Sequence, residues 1–286
     1  MGLISIKKYL HNAQHEHYAI PLFNIFEMQG AIGVFDAINE KNAPAIIGVY
    51  GPLINDANAA AFINYLISLY NQSEKPISLM LDHGSEAECR KAVDFGFTDI
   101  MFDGSELAFD ENVRVTKELA SISHQKGISI EAELGHVGNA DDYELFGGRG
   151  LGFTDPQSVK EFVEETCVDF LAIAFGSAHG INKSKPNLNM SILQEIKNQT
   201  DIPLVMHGGS GSTDQQFIEV INLGICKINI SSNLLKASQK AILNQIENSD
   251  GDFFSIMSSI RLAYQRNCCL IFDLFGTTGR ADNAIS

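Results

Sequence analysis

Eight short runs of apolar and β-branched residues recur along the chain, each separated from the next by a longer stretch. They are 18–24 YAIPLFN, 45–49 AIIGV, 77–82 ISLMLD, 98–103 TDIMFD, 128–133 ISIEAE, 169–175 DFLAIAF, 203–207 PLVMH and 225–229 ICKIN. Strands buried on both faces read as continuous apolar runs, and parallel strands need helical crossovers between them. Helix-like segments fall in the gaps, at 27–40, 57–70, 110–125 and 213–222. Asp110 and Asp155 read as helix N-caps, with Pro156 in a first turn, and Gly96, Gly127 and Gly224 stand where helices should stop. Eight strand–helix alternations in 286 residues predict an α/β fold, a (β/α)₈ TIM barrel of one domain. An open doubly wound sheet is the alternative, but no G-x-G-x-x-G follows the first run.

Composition narrows the partners. A net charge of −15 argues against nucleic acid or an anionic membrane surface. No apolar run approaches the ~20 residues a membrane helix needs, and the opening MGLISIKKYLHNAQ lacks an apolar signal region. The cysteines (Cys89, Cys167, Cys226, Cys268, Cys269) are odd in number and form no C-x-x-C, as expected of reduced thiols. The expectation is a cytoplasmic protein.

In a barrel the chemistry gathers where strands end. Those ends carry Asn24, Tyr50, Asp82–His83, Asp103, Glu131 and Glu133, His179, His207 and Asn229. A lone histidine at such a place is most simply a satisfied polar residue. Three of them at consistent strand ends reverse that reading, because three neutral imidazoles suit Zn²⁺ and leave a coordination position open. His11, His15, His17 and His124 fall on helices or their flanks and read as solvated. HGGSG at 207–211 and NISS at 229–232 offer successive backbone N–H groups and hydroxyls, an anion nest where barrels hold phosphate, although HGGSG alone could be a simple turn. The glycine-rich acidic stretch 134–152 reads as a lid, with a merely mobile surface loop as the plainer alternative.

LDHG, GFTDIMFDGSELAFDEN, EAELGHVG, FGSAHG, HGGSG and KINISS together resemble the signature segments of the class II, metal-dependent fructose- and tagatose-bisphosphate aldolases. The resemblance runs from about residue 3 to 250 and implies a zinc-dependent barrel that interconverts a ketose phosphate with dihydroxyacetone phosphate and an aldehyde. It implies one catalytic Zn²⁺ per chain on His83, His179 and His207, with Glu133 as an accessory carboxylate. A monovalent cation near the phosphate is a further possibility of the same kind. Asp82 becomes the acid–base group on the aldehyde-derived oxygen. Gly180, Gly208, Ser210, Asn229 and Ser232 become the phosphate site, with Asn24 and Ser231 also against substrate. The lid acid corresponds to Asp141, with Asp142 beside it. The domain is then 1–286, with the lid at about 134–152 and a helical C-terminal extension. The expected partners are a small phosphosugar and a second copy of the chain, as homodimer or homotetramer.

Asp82 and His83 raise a geometric question, since adjacent strand residues face opposite ways. Gly84 is expected to supply the bend that lets both reach one site. The pattern also departs from the family. Tyr50 replaces a serine, Ser231 stands where Asp or Ala discriminates sugars, and Leu235 stands where a cation holds the distal phosphate. Lys236 or Arg280 could substitute for that cation; otherwise the substrate is a ketose 1-phosphate with an unphosphorylated aldehyde. Two other readings stay open: a metallohydrolase on the same histidines, and a non-catalytic barrel. A lysine Schiff base through Lys227 is the rival aldolase mechanism.

Overall fold

The computed structural model describes residues 2–137, 152–180, 186–248 and 252–282. Along the chain come α1 (Lys7–His15), β1 (Ile20–Asn24), α2 (Met28–Lys41), β2 (Ala45–Tyr50), a 3₁₀ turn (Gly51–Asn55) and α3 (Ala59–Tyr70). Next are β3 (Ile77–Gly84), α4 (Glu86–Ala92), β4 (Asp99–Phe102), α5 (Phe109–Gln125), β5 (Ser129–Leu134), α6 (Pro156–Thr166) and β6 (Phe170–Ile173). The rest is α7 (Met190–Lys197), β7 (Leu204–Met206), α8 (Asp214–Asn222), β8 (Ile225–Ile230), α9 (Ser232–Asn248) and α10 (Phe253–Leu274). All eight strands pair in parallel in chain order, and β8 closes on β1. The predicted (β/α)₈ barrel is the fold, and each apolar run holds one strand.

Two apolar layers build it. Outward-facing strand residues such as Phe23, Ile47, Leu79 and Ile130 pack under the helices. Inward-facing Leu22, Ile46, Met80, Met101, Phe170 and Val205 fill the barrel, and α1 plugs its floor with Ile6, Tyr9 and Leu10. The floor also has a polar knot. Buried Asp99 accepts hydrogen bonds from the hydroxyls of Ser5 (2.9 Å), Ser78 (2.5 Å) and Thr98 (2.9 Å) and from the Ile6 backbone N–H (3.3 Å). The mouth is thereby left as the open end.

One of the two N-cap signals holds. Asp155 caps α6 by accepting from the Gln157 N–H, with Pro156 following, as expected. Asp110 is not a cap: Ala108 occupies that position, and Asp110 lies in the first turn of α5, where a carboxylate still favours the helix dipole. α10 lies across α2, and Gly33 is what lets them meet. A Cβ there would be 2.4 Å from the Arg261 carbonyl oxygen and 2.7 Å from Tyr264 Cβ. Gly33→Ala should therefore force the two helices apart and cost about 1–3 kcal/mol. A lowered urea midpoint at unchanged m-value would register it. Among the described residues no helix is long and apolar enough to cross a membrane.

Candidate active site

β3 ends in Asp82, His83 and Gly84, and the chain turns at His83 itself, whose φ is 53°. The expectation that Gly84 supplies the bend is corrected. Its φ is not positive; it is needed for close packing, because a Cβ would fall 2.5 Å from Leu81 Cδ2 and 3.0 Å from the Met101 carbonyl oxygen. A register shift against β4 falls between Leu81 and Gly84. The left-handed step at His83 turns its imidazole into the mouth, where Asp82 already lies.

Three imidazoles then converge. The His83 ring centroid is 4.7 Å from that of His179 and 4.6 Å from that of His207, and one nitrogen of each lies within 4.8 Å of the others. Carboxylates fix two of the tautomers. His83 Nδ1 meets Asp103 Oδ2 at 2.7 Å, and His207 Nε2 meets Glu131 Oε1 at 2.7 Å. An ionised carboxylate only accepts, so both contacted nitrogens carry the proton. The remaining nitrogens, His83 Nε2 and His207 Nδ1, face each other at 2.7 Å. In neutral rings these would be two lone pairs aimed at one point, which calls for a cation between them. The donor set fits a metal ion.

Charge settles on one of the three rings. Burial opposes a charge on His83, but Asp82, Asp103 and Glu133 carry its pKa up to about 9. Burial pushes His179 down to about 4 and His207 well below its ordinary value, so both remain neutral donors. Glu133 falls in a second set, with His83 and Asp103, rather than with His179 and His207. Its Oε1 accepts from the Val137 N–H at 3.0 Å, and its buried Oε2 has no hydrogen-bond partner among the described residues. Burial and nearby Asp103 push its pKa up to about 8.

Asp82 is held from both sides. Asn229 Nδ2 donates to its Oδ1 and Asn24 Nδ2 to its Oδ2, each at 2.8 Å. Burial works against its charge, yet His83, His207, Lys227 and the Asn24 amide keep its pKa below the usual carboxylate value. Lys227 is fully buried, 3.0 Å from Glu131 Oε2, and donates to Asn229 Oδ1 at 2.6 Å. Glu131 and Lys227 thus connect a metal-facing histidine to the asparagine that orients Asp82.

A cavity of about 800 Å³ opens over this group. Gly180, Gly208, Ser210, Asn229, Ser231 and Ser232 line it, with Asn24, Asp82, His83 and His179. The anion nest needs one revision. The start of α8 is closed by its own capping box, Thr213 with Gln216, so Gly208–Ser210 and the start of α9 at Ser232 offer the donors instead. Asp141, like Asp142, lies outside the described residues. Leu235 is 44 % exposed on α9 and does not line the cavity, whereas Tyr50 does. Arg280 pairs with Glu16 and stacks over Tyr18 beside α1, away from this chain's own mouth. His11, His15 and His17 are exposed as expected, but His124 pairs with buried Asp169 at 2.9 Å.

The family model described as fructose-bisphosphate aldolase class-II matches residues 4–280. The chain belongs to that family. Class II aldolases are carbon–carbon lyases that depend on a metal and act on small phosphosugars, and the converging imidazoles fit the metal. The Escherichia coli K12 protein YdjI, named as uncharacterized, is 36 % identical over 281 residues, covering 98 % of this chain and all of that one. The crystal structure titled YdjI aldolase has a TM-score of 0.86, covers 98 % of this chain and all of that one, and is 33 % identical over the superposed chain. A fructose-bisphosphate aldolase of Staphylococcus aureus Mu50 is 36 % identical over 258 residues, 87 % of each chain.

Asp103 and Glu131 were named at strand ends without a role, and Ser105 and His136 escaped the sequence reading. The first two had a signal, since Asp103 directly follows β4 and Glu131 shares a strand face with Glu133. Because Asp103 fixes the His83 tautomer, Asp103→Asn in this class II aldolase should weaken metal binding about 10–100-fold. Competition against a chromophoric chelator would read the shift, with circular dichroism confirming an unchanged fold.

Proposed function

We propose that the chain is a zinc-dependent aldolase that reversibly cleaves a ketose phosphate to dihydroxyacetone phosphate and an aldehyde. The substrate is either a fructose- or tagatose-1,6-bisphosphate-like sugar or a ketose 1-phosphate. The observation that carries this reading is Asp82, clamped by Asn24 and Asn229 directly beside the three convergent imidazoles. His83, His179 and His207 would hold the ion, with Asp103 and Glu131 fixing two of their tautomers. Bound Zn²⁺ supplies Lewis acidity toward the ketone oxygen.

The other roles belong to the chain. Gly180, Gly208, Ser210 and Ser232 bind the phosphate of the dihydroxyacetone half and so fix which carbon faces Asp82. Asp82, kept ionised, takes the proton from the hydroxyl that becomes the aldehyde and returns it in the reverse direction. The clamp leaves it one orientation, so the carboxylate need not reorganise as charge moves. Asp141 is the second acid–base group in this reading, serving the carbon that gains or loses a proton. Operation in the cytoplasm as a homodimer or homotetramer is part of the same proposal.

Solvent-hydrogen exchange at the reactive carbon of dihydroxyacetone phosphate tests it without requiring the right aldehyde. Zinc-loaded protein should catalyse exchange, and metal-free protein should not. Absence of exchange in protein holding one zinc per chain would sink the reading.

A further inference from the structure

A fully buried ion pair lies inside the barrel, Lys227 of β8 with Glu131 of β5. The two strands are not neighbours in the sheet, so the pair crosses the interior. Inward positions elsewhere in the barrel are apolar, among them Leu22, Met80, Phe170 and Val205. Stability does not account for the pair. Packed apolar residues of similar volume serve an interior as well or better, because two charges must first be stripped of water.

The contacts of the ammonium point to another use. Lys227 Nζ lies 3.0 Å from Glu131 Oε2 and 2.6 Å from Asn229 Oδ1. Lys227 and Asn229 are two residues apart on β8, so both side chains point inward, with Asn229 nearer the mouth. An ammonium has protons and no lone pair, so it can meet only the oxygen end of the amide. The nitrogen end is left for Asp82, and Nδ2 donates to Asp82 Oδ1 at 2.8 Å. Turned about, the amide would set its oxygen against the carboxylate, two acceptors with no proton between them. Glu131 anchors the ammonium through Oε2, while its Oε1 accepts from His207 Nε2 at 2.7 Å.

We infer that Lys227 is a positioning residue for the acid–base step: it selects which end of the Asn229 amide faces Asp82. The fixed orientation of the Asp82 carboxylate then depends on a group that touches no reacting atom and does not line the cavity. The use made of Asp82 rests on the aldolase reading above. The selection of the amide end does not.

Lys227→Met removes the ammonium at nearly constant length, but it strands the Glu131 carboxylate in the interior. The test therefore pairs it with Glu131→Gln, which removes the second charge and still offers His207 an acceptor. The substrate is whichever of fructose 1-phosphate and fructose 1,6-bisphosphate the zinc-loaded wild type cleaves faster. In the paired variant kcat for cleavage should fall about 10–100-fold, the usual cost of losing an outer partner of a site residue. KM should change little, and zinc affinity by chelator competition should hold. Exchange at dihydroxyacetone phosphate should be spared relative to cleavage. Placed on an Asn229→Ala background, the paired change should add little further loss, because the group it acts through is gone. A crystal structure of the paired variant should show Asp82 released from its 2.8 Å contact with Asn229.

Fully additive loss on the Asn229→Ala background overturns the inference. So does an equal fall in cleavage, exchange and zinc affinity, which would mark a support of the metal site alone. A variant structure in which Asn229 still donates to Asp82 overturns it as well. Wild-type protein that holds zinc and shows no exchange would remove the aldolase reading instead, and the variant structure would still decide what Lys227 selects.

Discussion

Chelation should abolish carbon–carbon cleavage, and Zn²⁺ or Co²⁺ added back should restore it. The expected loss is about 10³-fold or more, since Lewis-acid polarisation is worth several kcal/mol of transition-state stabilisation. The ground for this lies in the geometry: the imidazole nitrogens that converge are the ones Asp103 and Glu131 leave unengaged. Metal analysis should find about one zinc per chain, in keeping with one set of three imidazoles. The competing electrophile, a Schiff base on Lys227, is poorly served. That ammonium is buried between Glu131 and Asn229, and neutralising it would leave the Glu131 carboxylate buried without its cation. Borohydride with dihydroxyacetone phosphate should leave Lys227 unmodified. A trapped adduct at that residue would overturn the metal mechanism.

Asp82→Ala should cut cleavage about 10²–10⁴-fold, the usual worth of a positioned acid–base group. Zinc should stay bound, because Asp82 is not among the converging ligands. Exchange at dihydroxyacetone phosphate should be spared relative to cleavage, since the carbon proton belongs to the lid acid in the proposed scheme. Asp141→Ala should show the opposite split. If Asp82→Ala lost exchange and cleavage in equal measure, the assignment of the two protons to two groups would fail. Asp142→Ala serves as the neighbouring comparison; exchange lost there but kept in Asp141→Ala would reassign the lid acid.

The barrel was legible because strands covered on both faces leave continuous apolar runs, and the three histidines were legible because each ends or follows one. What could not be read were relations made only when the barrel closes. Asp103 reaches His83, Glu131 reaches His207 and Ser105 reaches His136 across separate strands or loops, and no spacing in the chain encodes those meetings. The bend was assigned to Gly84 because glycine is the residue that ordinarily takes a left-handed conformation. Here His83 takes it, since that step is what aims the ring. Asp110 had the composition of a cap but fell two residues inside the helix. Leu235 was placed against the substrate by motif position, and the turn of α9 puts it on the outside.

The knot around Asp99 carries a consequence for how the molecule assembles. Ser5 and Ile6 precede the first strand, yet their partner Asp99 lies on the fourth, and Ser5 also meets Ser129 at the start of the fifth. Such contacts close long loops and must wait until that much of the chain is in place. The floor should therefore form after the rate-limiting barrier. Ser5→Ala and Ser78→Ala would then accelerate unfolding while leaving the refolding arm of the chevron almost unchanged. A chain with its floor open could be barrel-shaped at the mouth and still short of the native state, making the end opposite the chemistry the last to lock.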